Sequence, residues 1–277
     1  MPMDLSKVPV FILCGGLGTR LKEETEFRPK PMVPIGPQPI LWHIMRHYAR
    51  YGFKRFVLCL GFKAEVIKQY FLHYYQMNSD FTVELATSNV TVESAGHNDD
   101  WHVTLAYTGE LTMTGARIAK AAHRYLDGAE HFAVTYGDGV TNADLADEFT
   151  FHKKNGKIGT ILAVNPPSRF GELKTDGDLV EQFAEKPEFQ DKWINGGYFF
   201  FRRDFLKYVD TAESCVLERQ PLAALARDRQ LAMYKHDGFW AAMDTQRERD
   251  YLNELWAKGN APWAINEARP EGSIVQT

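Results

Sequence analysis

Three glycines and two cations lie close together near the start of this 277-residue chain. Gly15, Gly16 and Gly18 follow an apolar run, and Arg20 and Lys30 come shortly after them. Glycines carry no side chain that would keep a bulky anion away from the backbone N–H groups. The Arg20 guanidinium offers a planar fork for phosphate oxygens, and the Lys30 ammonium is a compact positive charge. The spacing therefore predicts a loop that binds a polyphosphate.

Two better-known phosphate-binding loops do not fit this segment. A dinucleotide-binding fingerprint requires a third glycine three positions after Gly18, where this chain has Leu21. The ATP-binding P-loop requires four residues between its glycines and then Lys with Ser or Thr, which no frame here supplies. The remaining alternative is a strand-to-helix turn without a ligand. The presence of Arg20 and of Pro29-Lys30-Pro31 disfavours that alternative.

Two aspartates have the surroundings expected of ligands for a hard divalent cation. Asp138 stands between two glycines after an apolar run, and Asp244 lies between Met243 and Thr245. Proteins hold Mg²⁺ with one or two carboxylates together with phosphate oxygens and water. An aspartate beside a glycine is also a common turn former or helix cap, and this alternative stays open for Asp138 taken alone. A third acidic segment, Asp176-Gly177-Asp178, lies between two short strands, so we interpret it as a hairpin turn.

The elements around these residues alternate between strand and helix in the first half of the chain. Apolar runs predict strands over 8–13, 55–60 and 132–136, and helical spacing predicts helices over 40–48 and 66–74. This order predicts an α/β fold with a doubly wound, mostly parallel, Rossmann-like sheet. Ligands bind at the carboxyl ends of the strands in such sheets. The glycine loop and Asp138 both follow predicted strands.

The segment 81–107 has a different pattern from the rest of the first half. Its alternation of polar and apolar residues predicts a small insertion of antiparallel strands, which we expect to contact another copy of the chain. The second half predicts strands over 158–164, 171–175, 179–184 and 198–201 and helices over 221–227 and 247–256. Because no linker or repeat separates these elements, we expect a single domain over 1–263. We expect the polar tail over 264–277 to be poorly ordered.

Composition and charge argue against several classes of function. Hydrophobic residues make up 44% of the chain and charged residues 25%, which is ordinary for a globular enzyme. The net charge of -4 provides no basic footprint, so we expect no nucleic-acid partner. No apolar run approaches the length of a signal-peptide core or a membrane span, so we expect no membrane association. The three cysteines, Cys14, Cys59 and Cys215, have no metal or redox spacing, which is typical of a protein in the reducing cytoplasm.

The chain resembles the sugar-1-phosphate nucleotidylyltransferases. The resemblance begins with Gly-Gly-Leu-Gly-Thr-Arg-Leu at 15–21 and Pro-Lys-Pro-Met at 29–32. It continues with Pro-Ile-Leu-Trp-His-Ile-Met at 39–45 and Tyr-Gly-Asp-Gly-Val at 136–140. Further matches are Ile-Asn-Gly-Gly-Tyr-Phe at 194–199, Gly-Phe-Trp at 238–240 and Met-Asp-Thr at 243–245. Within the family, the chain is most similar to the members that use CTP and glucose 1-phosphate.

The resemblance implies an enzyme that transfers CMP from CTP to α-D-glucose 1-phosphate, forming CDP-glucose and pyrophosphate. The reaction would need Mg²⁺, proceed by in-line attack and supply deoxysugar or surface-polysaccharide synthesis. The resemblance also implies a homo-oligomer, with a hexamer as one candidate. Two alternatives stay open: the same chemistry with UTP, dTTP or another sugar 1-phosphate, and a non-catalytic regulatory module that binds nucleotide sugars. Ala241 and Ala242 replace a bulkier pair that is usual in the family, which keeps other sugars among the candidates.

The resemblance also implies roles for individual residues. Arg20, Lys30 and Asp138 would be catalytic, and Asp138 and Asp244 would hold Mg²⁺. The residues implied to bind the nucleotide are Leu13, Gly15, Gly16, Leu17, Gly18, Thr19, Arg20, Lys30, Thr112, Arg117 and Gly137. The residues implied to bind the sugar phosphate are Gly171, Glu185, Lys186, Asn195 and Gly196.

Overall fold

The computed structural model of this chain describes residues 4–92, 99–165, 172–176, 179–184 and 193–264. The strands in this part of the chain are β1 (Pro9–Cys14), β2 (Pro34–Ile35), β3 (Gln38–Pro39), β4 (Arg55–Leu60), β5 (Phe81–Glu84), β6 (Asn89–Val92), β7 (His102–Tyr107), β8 (His131–Tyr136), β9 (Gly139–Thr141), β10 (Gly159–Val164), β11 (Glu172–Asp176), β12 (Leu179–Ala184), β13 (Ile194–Arg202), β14 (Leu231–His236) and β15 (Trp240–Ala242). The α-helices are α1 (Lys22–Thr25), α2 (Ile40–Arg50), α3 (Ala64–Leu72), α4 (Tyr74–Met77), α5 (Thr114–Tyr125), α6 (Leu145–Asn155), α7 (Gln220–Arg227) and α8 (Gln246–Ala257).

Seven of these strands form the central sheet, in the order β14-β10-β13-β8-β1-β4-β7. Strand β1 pairs in parallel with β4 and β8, β4 pairs in parallel with β7, and β10 pairs in parallel with β14. Strand β13 runs antiparallel to both of its neighbours. The mostly parallel α/β sheet that the sequence predicted is therefore confirmed.

Helices cover both faces of this sheet, and the side chains of β1 show how. Val10 and Ile12 belong to one buried cluster, which includes Ile44 of α2. Phe11 belongs to a second buried cluster, which includes Ile118 of α5. Because successive side chains of a strand point to opposite faces, the two clusters lie on opposite sides of the sheet. Burial on both faces explains the continuous apolar run of β1 and fits the doubly wound arrangement.

The prediction of antiparallel strands over 81–107 is correct for one part of this segment and wrong for another. Strands β5 and β6 form an exposed antiparallel hairpin. Strand β7, in contrast, pairs in parallel with β4 and forms one edge of the central sheet. Strand β7 is mostly half-buried, with Ala106 as its one buried residue, so it lacks the continuous buried run of the parallel strands at the centre of the sheet. The sequence therefore did not separate β7 from the hairpin.

Other expectations from the sequence concern the second half of the chain. Strands β11 and β12 pair antiparallel with Asp176 opposite Leu179. Gly177 and Asp178, for which the sequence predicts a hairpin turn, and the tail from residue 265 onward lie outside the described residues. Among the described residues, no helix is both long and apolar enough to cross a bilayer.

Glu148 on α6 is an acid buried in the core. Its side chain is 0% exposed, and neither carboxyl oxygen has a hydrogen-bond partner among the described residues. Burial raises the pKa of Glu148 well above its ordinary value, because a buried carboxylate loses its hydration. The folded protein therefore favours the protonated, uncharged acid at this position.

Glu148→Gln tests this effect through the pH dependence of stability. The unfolded chain ionises Glu148 at its ordinary pKa, whereas the folded chain keeps the proton to higher pH. The unfolded state therefore gains from ionisation, and the wild-type free energy of unfolding falls by about 1.4 kcal/mol per pH unit between the two pKa values. Glutamine cannot ionise, so we expect the variant to gain stability relative to wild type as the pH rises from 4 to 8. Urea unfolding at several pH values measures this difference, and a difference that stays constant with pH would contradict the account.

Candidate active site

The glycine loop leaves β1 at the carboxyl edge of the sheet and folds back on itself. Gly18 has a φ of +63°, in the left-handed region that favours glycine. A Cβ at Gly18 would lie 2.6 Å from the Thr25 side chain, whose hydroxyl donates to the Gly18 carbonyl oxygen at 3.1 Å. A Cβ at Gly16 would meet nothing within 4 Å. The loop is thus fixed at Gly18 and leaves its backbone accessible at Gly16.

Arg117 on α5 contacts this loop and fixes its position. Its side chain is buried, and a Cβ at Gly15 would clash with its guanidinium group. The guanidinium donates hydrogen bonds of 2.7–3.0 Å to the carbonyl oxygens of Gly15, Leu60, Gly109 and Glu110 and to the Thr108 hydroxyl. One side chain therefore ties together the chain segments that follow β1, β4 and β7. These contacts give Arg117 a positioning role, and direct contact with a nucleotide stays a prediction.

The Lys30 ammonium brings the two aspartates together. Its Nζ donates to Asp138 Oδ2 at 2.7 Å and also to Asp244 Oδ1. Arg20 Nη1 donates to the other Asp244 oxygen at 2.6 Å. Burial lowers the pKa of Lys30, but the two carboxylates outweigh this effect and leave the pKa above its ordinary value. Lys30 therefore carries its positive charge throughout the physiological pH range.

Backbone pairing explains why two aspartates so distant in sequence meet. Asp138 lies between β8 and β9, and β9 pairs antiparallel with β15, with Gly139 opposite Ala242. The Met243 N–H donates to the Asp138 carbonyl oxygen at 2.8 Å. Asp244 comes just before α8, whose first turn is closed by a capping box between Thr245 and Glu248. The small β9–β15 sheet and the helix start thus fix both carboxylates.

The glycine loop, Arg20, Lys30 and Asp138 line a cleft of about 740 Å³ at the carboxyl edge of the sheet. A smaller pocket of about 190 Å³ adjoins it and shares Arg20, Tyr136 and Asp138 with it. Every residue that the sequence predicted for the nucleotide lines the larger cleft, namely Leu13, Gly15, Gly16, Leu17, Gly18, Thr19, Arg20, Lys30, Thr112, Arg117 and Gly137. Their common location fits the prediction and leaves their contacts with a ligand as a proposal.

The residues predicted for the sugar phosphate are only partly placed. Asn195 and Gly196, at the start of β13, line the smaller pocket together with Asp244. Gly171, Glu185 and Lys186 lie outside the described residues.

Several residues that line these cavities were not assigned to the site from the sequence, and some of them carry polar groups or large aromatic rings. Tyr136 lines both of them, Trp240 lines the smaller pocket, and Thr114 and Glu218 line the larger cleft. The Trp240 indole N–H donates to the Gly196 carbonyl oxygen at 2.7 Å, which fixes its ring beside the smaller pocket. Tyr136 comes two positions before Asp138, and Trp240 comes four before Asp244. Both aromatic residues could therefore have been found in the sequence by their proximity to a predicted metal-binding aspartate.

The donor set of Asp138 and Asp244 fits a hard divalent cation. Both carboxylates contact one ammonium, so they already converge on a single positive charge. Among the described residues, no cluster of three or more His, Cys, Asp or Glu could hold a metal ion. The protein would thus supply two carboxylates and leave the remaining positions to phosphate oxygens and water. Mg²⁺ prefers this kind of coordination, whereas structural Zn²⁺ sites use four protein ligands.

Comparison with known proteins identifies the family of this chain. The nucleotidyl transferase family model matches residues 9–252. The chain belongs to the nucleotidyl transferase family. It is also 44% identical over 252 residues to the glucose-1-phosphate cytidylyltransferases of Salmonella typhi and Salmonella typhimurium, an alignment that covers 91% of this chain and 97% of each relative. The glycine loop, Lys30 and both aspartates lie within the matched part of this nucleotidyl transferase.

A solved structure has the same fold as this nucleotidyl transferase. HddC from Yersinia pseudotuberculosis, complexed with GMP-PN, matches with a TM-score of 0.62 and 22% sequence identity. The match covers 90% of this chain and 99% of HddC. At this level of identity the likeness establishes the fold alone.

Arg117→Lys tests the role of the buried guanidinium. An ammonium keeps the charge but cannot reach five acceptors on three chain segments. Unpaired buried carbonyl groups cost about 1–3 kcal/mol, so we expect the free energy of unfolding to fall by at least that amount. We also expect a nucleoside triphosphate to bind at least ~10-fold more weakly, because Gly15 loses its anchor. Arg124→Lys, on an exposed position of the same helix, is the matched control. Wild-type stability together with wild-type affinity for the nucleoside triphosphate would contradict the positioning role.

Proposed function

We propose that this nucleotidyl transferase transfers CMP from CTP to α-D-glucose 1-phosphate, forming CDP-glucose and pyrophosphate. The observation that carries the proposal is the 44% identity to two glucose-1-phosphate cytidylyltransferases over 91% of the chain. The site geometry supports it independently. A glycine loop, two cations and the Asp138 carboxylate line a cleft large enough for a nucleotide, and Asp244 contacts both cations from the adjoining pocket.

The proposed reaction is an in-line transfer at the α-phosphorus of CTP. An oxygen of the sugar phosphate attacks this phosphorus and forms a new P–O bond, while the bond to the pyrophosphate oxygen breaks. Such a transfer needs little covalent help from the protein, so positioning and charge neutralisation dominate. Backbone N–H groups of the glycine loop hold the triphosphate, and Lys30 stabilises the negative charge that develops as pyrophosphate leaves.

Arg20 can change partners when the triphosphate binds. Its side chain is 71% exposed, and its described ion pair is with Asp244. An ion pair this exposed contributes little stability, so exchanging the carboxylate for phosphate oxygens costs little. A planar guanidinium also binds phosphate oxygens in a bidentate manner. The Arg20 guanidinium thus exchanges its ion pair with Asp244 for contacts with the phosphate oxygens of the substrate.

Asp138 and Asp244 are the residues that would hold a divalent cation, and we propose Mg²⁺. Such an ion, when bound, supplies positive charge that neutralises the phosphate oxygens. Arg20 and Lys30 act on the same oxygens from the protein side. Both carboxylates are therefore expected to matter for turnover more than for folding.

We also propose that the chain forms a homo-oligomer through the β5–β6 hairpin. Val83, Leu85 and Val90 expose 42%, 89% and 51% of their surface there. A separate two-stranded hairpin is marginally stable in water, so a covering partner would stabilise it. A monomeric mass in sedimentation would contradict this proposal.

The three free cysteines support the cytoplasmic location that the sequence predicts.

A matrix of substrates tests the proposed function. We expect CTP with α-D-glucose 1-phosphate to release pyrophosphate with the highest kcat/KM, at least ~10-fold above UTP or dTTP with the same sugar. Ala242, which replaces a bulkier residue usual in the family, lines the smaller pocket, so the matrix includes other sugar 1-phosphates. A different best pair would contradict the substrate assignment. The absence of pyrophosphate release with every pair would favour the regulatory module.

Asp138→Asn and Asp244→Asn test the metal assignment. Each removes one negative charge from the pair, and we expect kcat to fall at least ~100-fold. Asp147→Asn is the matched control, because Asp147 is on α6 and accepts a hydrogen bond from Tyr234 away from the cleft. EDTA should abolish pyrophosphate release by the wild type. Near-normal kcat in both site variants, or release that persists in EDTA, would refute the assignment.

A further inference from the structure

Tyr136 forms part of the wall of both cavities. It is the last residue of β8, two positions before Asp138, and it lines the nucleotide cleft as well as the smaller pocket. Its ring packs against the backbone of Gly197, where a Cβ would lie 2.5 Å from the ring. The ring is therefore held in place by packing, independently of its hydroxyl.

The Tyr136 hydroxyl links one side chain in each cavity. It donates a hydrogen bond of 2.7 Å to Glu218 Oε1 and accepts one of 3.2 Å from Asn195 Nδ2. Glu218 lines the nucleotide cleft, and Asn195 lines the smaller pocket. The second Glu218 oxygen accepts a hydrogen bond of 2.8 Å from the Thr114 hydroxyl. A continuous hydrogen-bonded chain thus runs from Thr114 on the nucleotide side to Asn195 on the other side.

The chemistry of these groups fixes the direction of every hydrogen bond in the chain. An ionised Glu218 can only accept, so the Tyr136 hydroxyl must donate to it. The lone pairs of the hydroxyl then face Asn195, whose amide nitrogen must donate. At its other end, Asn195 Oδ1 accepts a hydrogen bond of 2.7 Å from the Gly197 N–H.

The orientation of the Asn195 amide is therefore set at both ends. An asparagine amide has two N–H donors and two acceptor lone pairs. One donor is used by Tyr136 and one lone pair by Gly197, which leaves one donor and one acceptor for a ligand. A sugar hydroxyl both donates and accepts, so it complements this remaining pair. A flipped amide would present the opposite arrangement.

We infer that Tyr136 is a positioning residue, whose hydroxyl orients the Asn195 amide toward the sugar phosphate. Glu218 holds that hydroxyl from the nucleotide side and acts through it. The inference rests on the proposed function, because Asn195 serves there as a contact for the sugar substrate.

Tyr136→Phe is the direct test, since it keeps the ring against Gly197 and removes only the hydroxyl. We expect the KM for glucose 1-phosphate to rise about 5- to 10-fold, as loss of one orienting hydrogen bond predicts. The KM for CTP should change less than ~2-fold. Tyr234→Phe is the matched control, because it removes a tyrosine–carboxylate hydrogen bond of 2.6 Å to Asp147 away from both cavities. An unchanged KM for glucose 1-phosphate in Tyr136→Phe would overturn the inference.

A double-mutant cycle tests the link to Glu218. Glu218→Ala alone should raise the KM for glucose 1-phosphate, because it frees the Tyr136 hydroxyl to rotate. In the Tyr136→Phe background, the same substitution should have no further effect on this KM. Independent, additive effects of the two substitutions would overturn the proposed chain. A wild-type protein that releases no pyrophosphate from CTP and glucose 1-phosphate would refute the proposed function instead, so the two failures are distinguishable.

Discussion

The Lys30 ammonium, held between the carboxylates of Asp138 and Asp244, is the interaction on which the site depends. Two carboxylates that converge in a partly buried place repel each other unless a cation stands between them. Lys30 supplies that cation in the free protein, and its raised pKa reflects the same attraction. A triphosphate with its divalent ion brings both a new anion and a new cation to this cluster. The charges of this cluster in the free protein thus match those that the proposed substrate would bring.

The sheet explains how this cluster can form from distant parts of the chain. Parallel strands β1 and β8 end at the same edge, which places the glycine loop beside Asp138. The antiparallel pairing of β9 with β15 places Asp244 at the same edge. Arg117 performs a related task behind the loop, because a buried guanidinium can satisfy several carbonyl groups at once. Strand ends, rather than strand interiors, therefore carry the chemistry of this protein.

Glycines, cations and an aspartate after predicted strands were the sequence signal for a phosphate-binding loop, and the structure places these residues along one cleft, where their contacts with a nucleotide stay a prediction. For Arg117 the resemblance implied a nucleotide contact, but it could not predict the five partners of its guanidinium, because these come from three segments that only the folded sheet brings together. The parallel pairing of β7 also escaped prediction, because this edge strand lacks the continuous buried run of the central strands. Tyr136 and Glu218 were missed because their hydrogen bond depends on long-range packing. Local sequence patterns thus predicted where the candidate site lies, and tertiary contacts determine how its residues are held.

The most direct test of this account is a crystal structure with Mg²⁺ and a CTP analogue that cannot be cleaved between its α- and β-phosphates. The account predicts a triphosphate against the backbone at Gly15–Gly18, with Asp138 and Asp244 binding the same magnesium ion. A triphosphate bound away from this loop, or two aspartates that share no metal ion, would contradict it.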